Sequence, residues 1–252
     1  MRVIVGDTGL IGRNLMSQAE FNLSFNSSNI INFCDMVKNN DELYLSCLPA
    51  TKWQVNLNTN SKFFDMLNAI NIFNILKTHS YSKIVLISTI DVYDHTELGS
   101  AENEEVITET MSYGQNRLRF EKMITSSLDY ESIKIVRLPA VFGPNLKKNL
   151  LFDLLNNNQT DKINLNSSYQ WYNLNNLFRD IENFKNNDVP ILNLFSEPVS
   201  TQEIVNIFNK DVGFYGNHIK YDYRTIHNSS GYYVDREIIL NDIKDFINAY
   251  GS

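Results

Sequence analysis

Residues 3–15, "VIVGDTGLIGRNL", set three glycines, Gly6, Gly9 and Gly12, between a short apolar β-rich run and a segment with helical spacing. Few folds accept a first strand that turns straight into a helix in this way. A continuously apolar strand is buried on both faces, so the helix that follows packs back onto a sheet. In the spacing Gly-x-x-Gly-x-x-Gly the first glycine permits the tight turn. The second lets the backbone approach a pyrophosphate, and the third lets helix pack closely on strand. The helix N-terminus then offers unpaired N–H groups and a positive dipole end to phosphates. Three spaced glycines alone also suit a strand–helix turn that needs flexibility. Their position, at the first strand and the first helix, favours a dinucleotide and makes Gly6, Thr8, Gly9, Leu10, Ile11 and Gly12 the first candidate cofactor contacts.

The rest of the chain repeats the pattern. "FNLSF", "DELYLSCLPA" (stopped by Pro49), "SKIVLIST" and "SIKIVRLPAVFG" read as strands, and residues 58–78 and 111–127 as helices. Apolar strands alternating with helices predict a doubly wound parallel sheet, an α/β Rossmann fold with its ligand at the carboxyl ends of the strands. After Gly143-Pro144 the pattern changes. "LKKNLLFDLLNN" is a helix, "KINLNSSYQWYNL" irregular to extended, and "VPILNLFS" a strand. "STQEIVNIF" is a helix opened by Ser200 or Thr201, with Glu203 near the capping-box position, and "DREIILNDIKDFINAY" is a closing amphipathic helix. The expected organisation is a dinucleotide-binding domain over 1–143, with 172–195 returning to it, and a small substrate lobe from 144–171 and 196–252. A chain of 252 residues, 43% hydrophobic, is large enough for such a core and lobe.

A net charge of −7 without runs of like charge argues against a nucleic-acid or anionic-membrane partner. It leaves room for a phosphorylated small ligand held by backbone amides. No apolar run approaches membrane-spanning length, and the chain opens directly on its first strand, so a cytoplasmic location is expected. Cys34 and Cys47 form no CxxC or metal-spaced set and read as buried free thiols; His79, His95, His218 and His227 show no metal spacing, so no metal is expected. At the end of the second strand, where a carboxylate would select NAD through the ribose 2′-hydroxyl, stand Asn26, Ser27 and Ser28. Neutral donors tolerate a 2′-phosphate and Arg13 can lend charge, which leans towards NADP over NAD.

The glycine spacing, "LISTIDVYD", "YGQNRLRFEK" and "IVRLPAVFGPN" follow in this order at plausible separations. Together they resemble the extended short-chain dehydrogenase/reductase family, the NAD(P)-dependent epimerases, dehydratases and reductases of nucleotide sugars. The likeness covers most of the chain, including "NAINIFNIL", "SYQWYNLNNLF" and "ILNLFSEPVSTQEI". The resemblance implies a sugar substrate, a homodimer formed through the helices at 62–76 and 111–127, and Tyr113 as the catalytic acid/base with Thr89 as its hydroxyl partner. It makes Cys47, Leu48, Pro49 and Pro139 further cofactor contacts, and Asp91 and Asn149 substrate contacts.

The chemistry suits those residue types. A phenol with a pKa near 10 is a poor base at neutral pH, and a cation one helical turn away stabilises its phenolate. Arg117 stands four residues after Tyr113, where the family pattern has lysine, and by resemblance also holds the nicotinamide ribose. Arginine keeps the charge but brings a planar fork that cannot lose its proton. The competing reading of the same residues is an exposed helix pair in which Arg117 bridges to Glu121, itself four residues on. Asp91 matches a dehydratase glutamate, but Ile90 fills the adjacent acid position, which argues against dehydration. Lys147 and Lys148 stand beside Asn149, and Tyr169, Asn175 and Asn176 replace the arginine and paired aspartates that many relatives carry. Trp53 reads equally as a cleft wall or a core residue. The alternative function is a dinucleotide-binding regulatory or scaffold protein of the same fold that has lost turnover.

Overall fold

The computed structural model describes residues 1–49, 51–93, 99–104, 111–127 and 133–250. In chain order the strands and helices are β1 (Arg2–Val5), α1 (Leu10–Gln18), β2 (Leu23–Phe25), α2 (Phe33–Met36), β3 (Asp41–Leu45), α3 (Lys52–Val55), α4 (Thr59–Leu76) and β4 (Tyr81–Thr89). A 3-10 turn over Ile90–Val92 precedes α5 (Tyr113–Ser127), β5 (Ile133–Leu138), β6 (Ala140–Phe142), α6 (Leu150–Asn156), β7 (Ser168–Tyr169) and β8 (Trp171–Asn173). The chain ends with α7 (Leu177–Lys185), β9 (Ile191–Asn193), β10 (Val199–Ser200), α8 (Thr201–Ile207) and α9 (Arg236–Tyr250). These elements fall into two units: Met1–Tyr93 with Glu105–Arg137 and Leu177–Leu192, and Asp94–Glu104 with Leu138–Asn176 and Asn193–Ser252.

The first unit is built on a six-stranded parallel sheet of order β2-β1-β3-β4-β5-β9. The chain steps from β1 outward to β2 and then crosses back to β3, so the order reverses between β1 and β3. The glycine turn leaves β1 at this switch point, where open α/β sheets bind their ligands. Alternation along each strand divides the core into two faces. Val3, Val5, Leu43, Leu45, Ile84, Leu86, Ile133 and Ile135 point to one face and pack with Ala69 and Leu76 of α4 and Phe120 and Ile124 of α5. On the other face Tyr44 stacks on Phe178 of α7 and meets Phe21 edge-on. Its hydroxyl donates to Glu182, which also pairs with Lys185 and Arg2.

Three expectations change. "SIKIVRLPAVFG" is two strands rather than one: Pro139 has no N–H to give a ladder, so β5 stays in the central sheet and β6 pairs with β8 in the second unit. Helix α7 is added, on the spacing of Leu177, Ile181 and Phe184 that buries one stripe. Cys34 is exposed on α2 rather than buried.

In the second unit the parallel pair β6–β8 and the antiparallel pair β7–β10 surround a core that includes Phe142, Trp171, Tyr172, Phe195 and Tyr223. Ser200 and Glu203 form a complete capping box on α8. Glu102 fastens residues 99–104 into this unit by accepting from the Asn193 and Ile226 amides and the Thr225 hydroxyl. Among the described residues no helix is long and apolar enough to cross a membrane.

Candidate active site

The glycine turn separates into two glycines that the fold requires and one that it does not. Gly6 has φ +100°, and a Cβ there would lie 2.3 Å from the Ser46 carbonyl oxygen on the neighbouring strand end. A Cβ on Gly12 would lie 2.1 Å from the Gly6 carbonyl oxygen, so α1 is seated directly on the turn. On Gly9 it would meet only that same oxygen at 3.4 Å, an ordinary contact. Gly9 is the N-cap of α1 and provides no side chain to its first-turn amides. Thr8 is exposed beside it, and Arg13 folds back to donate to the Thr8 carbonyl at 2.9 Å. A cradle of bare backbone at a helix N-terminus fits a pyrophosphate.

At the end of β2, Asn26 Oδ1 accepts from both the amide and the hydroxyl of Ser28, at 2.9 and 2.6 Å. Asn26 Nδ2 donates to Asp7 Oδ1 at 3.0 Å. The carboxylate that the sequence lacks on β2 is therefore supplied from inside the glycine turn. Nothing in the β2 segment itself signals it.

The tyrosine lies at the end of β4. Thr89 closes that strand and accepts from the Asp91 amide at 3.2 Å, which opens the 3-10 turn. The first turn of α5 is seated on it: a Cβ on Gly114 would fall 1.6 Å from the Asp91 carbonyl oxygen, so the residue after Tyr113 must be glycine for this approach. Asn56, just past α3, accepts from the Tyr113 amide at 2.9 Å. Lys52 of α3 pairs with Asp91 at 2.6 Å. Tyr113, Thr89 and Asp91 are thus gathered in one region of the first unit.

Arg117 is buried and does not bridge to Glu121. Its Nη1 and Nη2 donate to Asp65 of α4 at 2.9 and 3.0 Å, and Nη2 also donates to the Pro49 carbonyl at 2.7 Å. Its Cζ lies 4.4 Å from the centroid of the Tyr113 ring. Glu121 pairs instead with Arg137 of β5. Burial holds the Tyr113 phenol above its ordinary value; Arg117 pulls it down, while Asp91 and Asp65 push it up. Burial likewise pushes the Cys47 thiol up to about 12, against the pull of Arg117. A continuous series of contacts therefore runs from Gly6 to the Ser46–Cys47 backbone, and from Pro49 through Arg117 to Tyr113.

The other candidates divide. Trp53 is 65% exposed, which excludes the core reading. Asn149 belongs to the second unit and caps α6, accepting from the Phe152 amide and donating to the Val141 carbonyl. Pro139 separates β5 from β6. Asp65, Lys52, Asn56 and Asp7 were missed in the sequence. Only Asp65 carried a signal, as the one acid in the otherwise apolar and neutral stretch "FFDMLNAINIFNIL". Among the described residues no His, Cys, Asp and Glu group is arranged to hold a metal.

No protein-family model matches the sequence, and no curated protein does either. Solved structures do. MoeE5 in complex with UDP-glucuronic acid and NAD is similar with a TM-score of 0.77 and 14% identity, covering 98% of this chain and 97% of its own. The dTDP-4-dehydrorhamnose reductase of Yersinia enterocolitica gives 0.75 and 13%, over 98% of both chains. The UDP-glucose 4-epimerase of Thermotoga maritima, with UDP-glucose, gives 0.74 and 10%, over 99% and 98%. At these identities the likeness establishes a shared α/β fold built on a parallel central sheet.

Proposed function

We propose that this chain is a nicotinamide-dinucleotide-dependent oxidoreductase or epimerase acting on a nucleotide-linked sugar. The observation that carries the reading is the run of contacts from the glycine turn across the end of β3 to Tyr113. It ties a pyrophosphate cradle and an acid/base phenol to one sheet edge. The backbone of Gly6, Thr8, Gly9, Leu10, Ile11 and Gly12 would hold the pyrophosphate, and Cys47, Leu48 and Pro49 would border the dinucleotide beyond it. Bound there, the dinucleotide supplies a hydride acceptor or donor. Tyr113 exchanges the proton on the substrate oxygen, and Thr89 donates a hydrogen bond to that oxygen. Arg117 fixes the Tyr113 ring rather than reaching for a ribose, because its fork is already held by Asp65 and Pro49.

For the cofactor we put NAD before NADP. Asn26, Ser27 and Ser28 are neutral, but Asp7 brings a carboxylate to the end of β2, where it suits a ribose hydroxyl and repels a phosphate. MoeE5 is seen with NAD. The sugar-nucleotide class is supported by the ligands of MoeE5 and the Thermotoga maritima epimerase. A second copy of the chain is proposed to cover α4, where Phe63 and Phe64 stand 52% and 62% exposed ahead of the uncharged exposed residues Asn68, Asn71 and Asn74. A cytoplasmic, domain-plus-lobe protein accords with this reading, the sheet unit holding dinucleotide and the second unit the sugar nucleotide.

The test is dinucleotide binding followed by turnover across keto and nucleotide sugars, with Tyr113→Phe beside the wild type. Turnover that Tyr113→Phe abolishes while dinucleotide affinity stays unchanged supports the enzyme. The engagement of Arg117 by Asp65 favours one other reading, a dinucleotide-binding module without turnover. Tight NADH binding with no oxidation by any sugar of the panel would select it.

A further inference from the structure

Hydride transfer needs the nicotinamide ring held at one distance and angle from the substrate carbon, and the ribose hydroxyls beside the ring offer the handle. A donor for them has to be near Tyr113 and open to solvent. Arg117 is near but closed. Asp65 accepts from its Nη1 and Nη2 at 2.9 and 3.0 Å, the Pro49 carbonyl accepts from Nη2 at 2.7 Å, and the Tyr113 hydroxyl takes a further hydrogen bond. Its side chain is 6% exposed, and turning the fork to a ligand would leave Asp65 buried without its partner. Arg13 is open but distant in role: it is exposed at the pyrophosphate end of the run and folded onto the Thr8 carbonyl.

A third cation meets both conditions. Lys52 opens α3, three positions after Pro49, and its ammonium pairs with Asp91 at 2.6 Å. Asp91 is tied to both residues of the proposed chemistry. Its amide donates to Thr89 Oγ1 at 3.2 Å, and its carbonyl oxygen lies against Gly114, the residue after Tyr113. Asn56, just past the other end of α3, accepts from the Tyr113 amide at 2.9 Å, so the short helix is fastened to the reactive segment at both ends. The Lys52 side chain therefore spans from the end of β3 to the end of β4. A dinucleotide that enters at the glycine turn and brings its nicotinamide to Tyr113 crosses the same gap. The lysine side chain is 41% exposed, so a ligand can reach it. An ammonium carries three donors on a flexible stem, and the pair with Asp91 directs them.

We propose that Lys52 is a cofactor-binding residue that hydrogen-bonds the nicotinamide ribose, and that Asp91 is the residue that positions it. The inference rests on the dinucleotide reading of the glycine turn and on Tyr113 as acid/base. It places the ribose contact on α3 rather than α5, and it gives Asp91 a task that needs no proton transfer.

The test compares a ligand that has the nicotinamide half with one that lacks it. NADH (or NADPH, if that binds tighter) and ADP are titrated by calorimetry into the full chain and into Lys52→Met. Loss of a charged donor to a hydroxyl should weaken the dinucleotide about tenfold or more, while ADP, held at the glycine turn, stays within about twofold. Asp91→Asn should weaken the dinucleotide by about two- to fivefold and spare ADP as well. A Lys52→Met protein that binds the dinucleotide within about twofold of the wild type overturns the proposal. So does an equal loss for both ligands, which would mark Lys52 as a support of the fold. If Lys52→Met does not fold, acetylation of the wild type decides. Mass spectrometry should find Lys52 protected by the dinucleotide and not by ADP, and equal modification with either ligand overturns the proposal. A wild type that binds no dinucleotide sinks the dinucleotide reading and this inference with it, whereas wild-type binding that leaves Lys52 unprotected sinks the inference alone.

Discussion

Arg117 and Arg137 sit in the same unit, each buried, each paired with a carboxylate from a helix, each over a tyrosine ring. They spend their remaining donor differently. Arg137 gives Nη1 to the Tyr93 hydroxyl at 2.7 Å, and its other nitrogens to Glu121 at 2.7 and 3.2 Å. The phenol oxygen is drawn into the ion pair. Arg117 gives a donor to the Pro49 carbonyl at the end of β3, lies against the Tyr113 ring, and also acts on its hydroxyl as a hydrogen-bond donor. The same three residue types thus make a staple in one place and, under the proposed function, a support for the acid/base phenol in the other. What separates them is that Arg137 gives its phenol a hydrogen bond at 2.7 Å, whereas the close donors of Arg117 go to Asp65 and the Pro49 carbonyl.

The largest expected contrast is between the two tyrosines. Under the proposed function Tyr113→Phe lowers turnover by about 10²–10⁴-fold without loss of dinucleotide affinity. Tyr93→Phe should leave turnover unchanged, and equal losses in steady-state assays would erase the distinction drawn here. Next comes the Glu121–Arg137–Tyr93 network. Glu121→Ala leaves Arg137 buried and uncompensated and should cost about 3–5 kcal/mol in urea unfolding; a cost near zero would mean water reaches Arg137. Tyr93→Phe removes one acceptor from the same charge and should cost about 1.5–3 kcal/mol.

The glycine turn sharpens the comparison from another side. Gly12→Ala forces a methyl group onto the Gly6 carbonyl and should destabilise by about 1–3 kcal/mol. Gly9→Ala should leave the melting curve within about 0.5 kcal/mol of the wild type while weakening dinucleotide binding in a fluorescence titration. Equal stability losses from both would show that Gly9 is structural too.

The smallest expected effect is on pH dependence. Burial raises Glu182, but hydrogen bonds from Lys185 and Tyr44 and the charges of Lys185 and Arg2 outweigh it, so the folded carboxyl lies below its ordinary 4.5. Its contribution is present above 4.5 and fades as pH falls through the depressed value. At the other end Tyr44 and Tyr81 are raised, mainly by burial, so their contribution is full below 10 and is lost as pH rises beyond it. Melts between these limits should be nearly flat, and Glu182→Gln should blunt the acidic limb and, through Tyr44, bring the alkaline limb to lower pH.

Much of the first unit was legible because its signals are local. Apolar runs bounded by Pro49 and the glycine turn marked strands, and in the second unit the Ser200–Glu203 pair marked the start of α8. The split at Pro139 was written in the missing N–H and was passed over, as was the periodic stripe of α7. The site was only half legible. Tyr113 and Thr89 were expected only through the family resemblance, and Arg117 faced two readings, exposed pair or ribose contact. Its actual partner lies 52 positions back in the chain.

By itself the sequence determined the order of strands and helices, the glycines that let α1 sit on its turn, and the single helical turn between Tyr113 and Arg117. Those follow from backbone sterics and from periodicities that act over a few residues. Tertiary structure alone decided that Asp65, not Glu121, answers Arg117, that Lys52 answers Asp91, and that Asp7 faces Asn26. Such pairings depend on how α4 packs against α5 and how the ends of adjacent strands line up. No local spacing encodes them, because a buried charge takes whichever partner packing brings within reach.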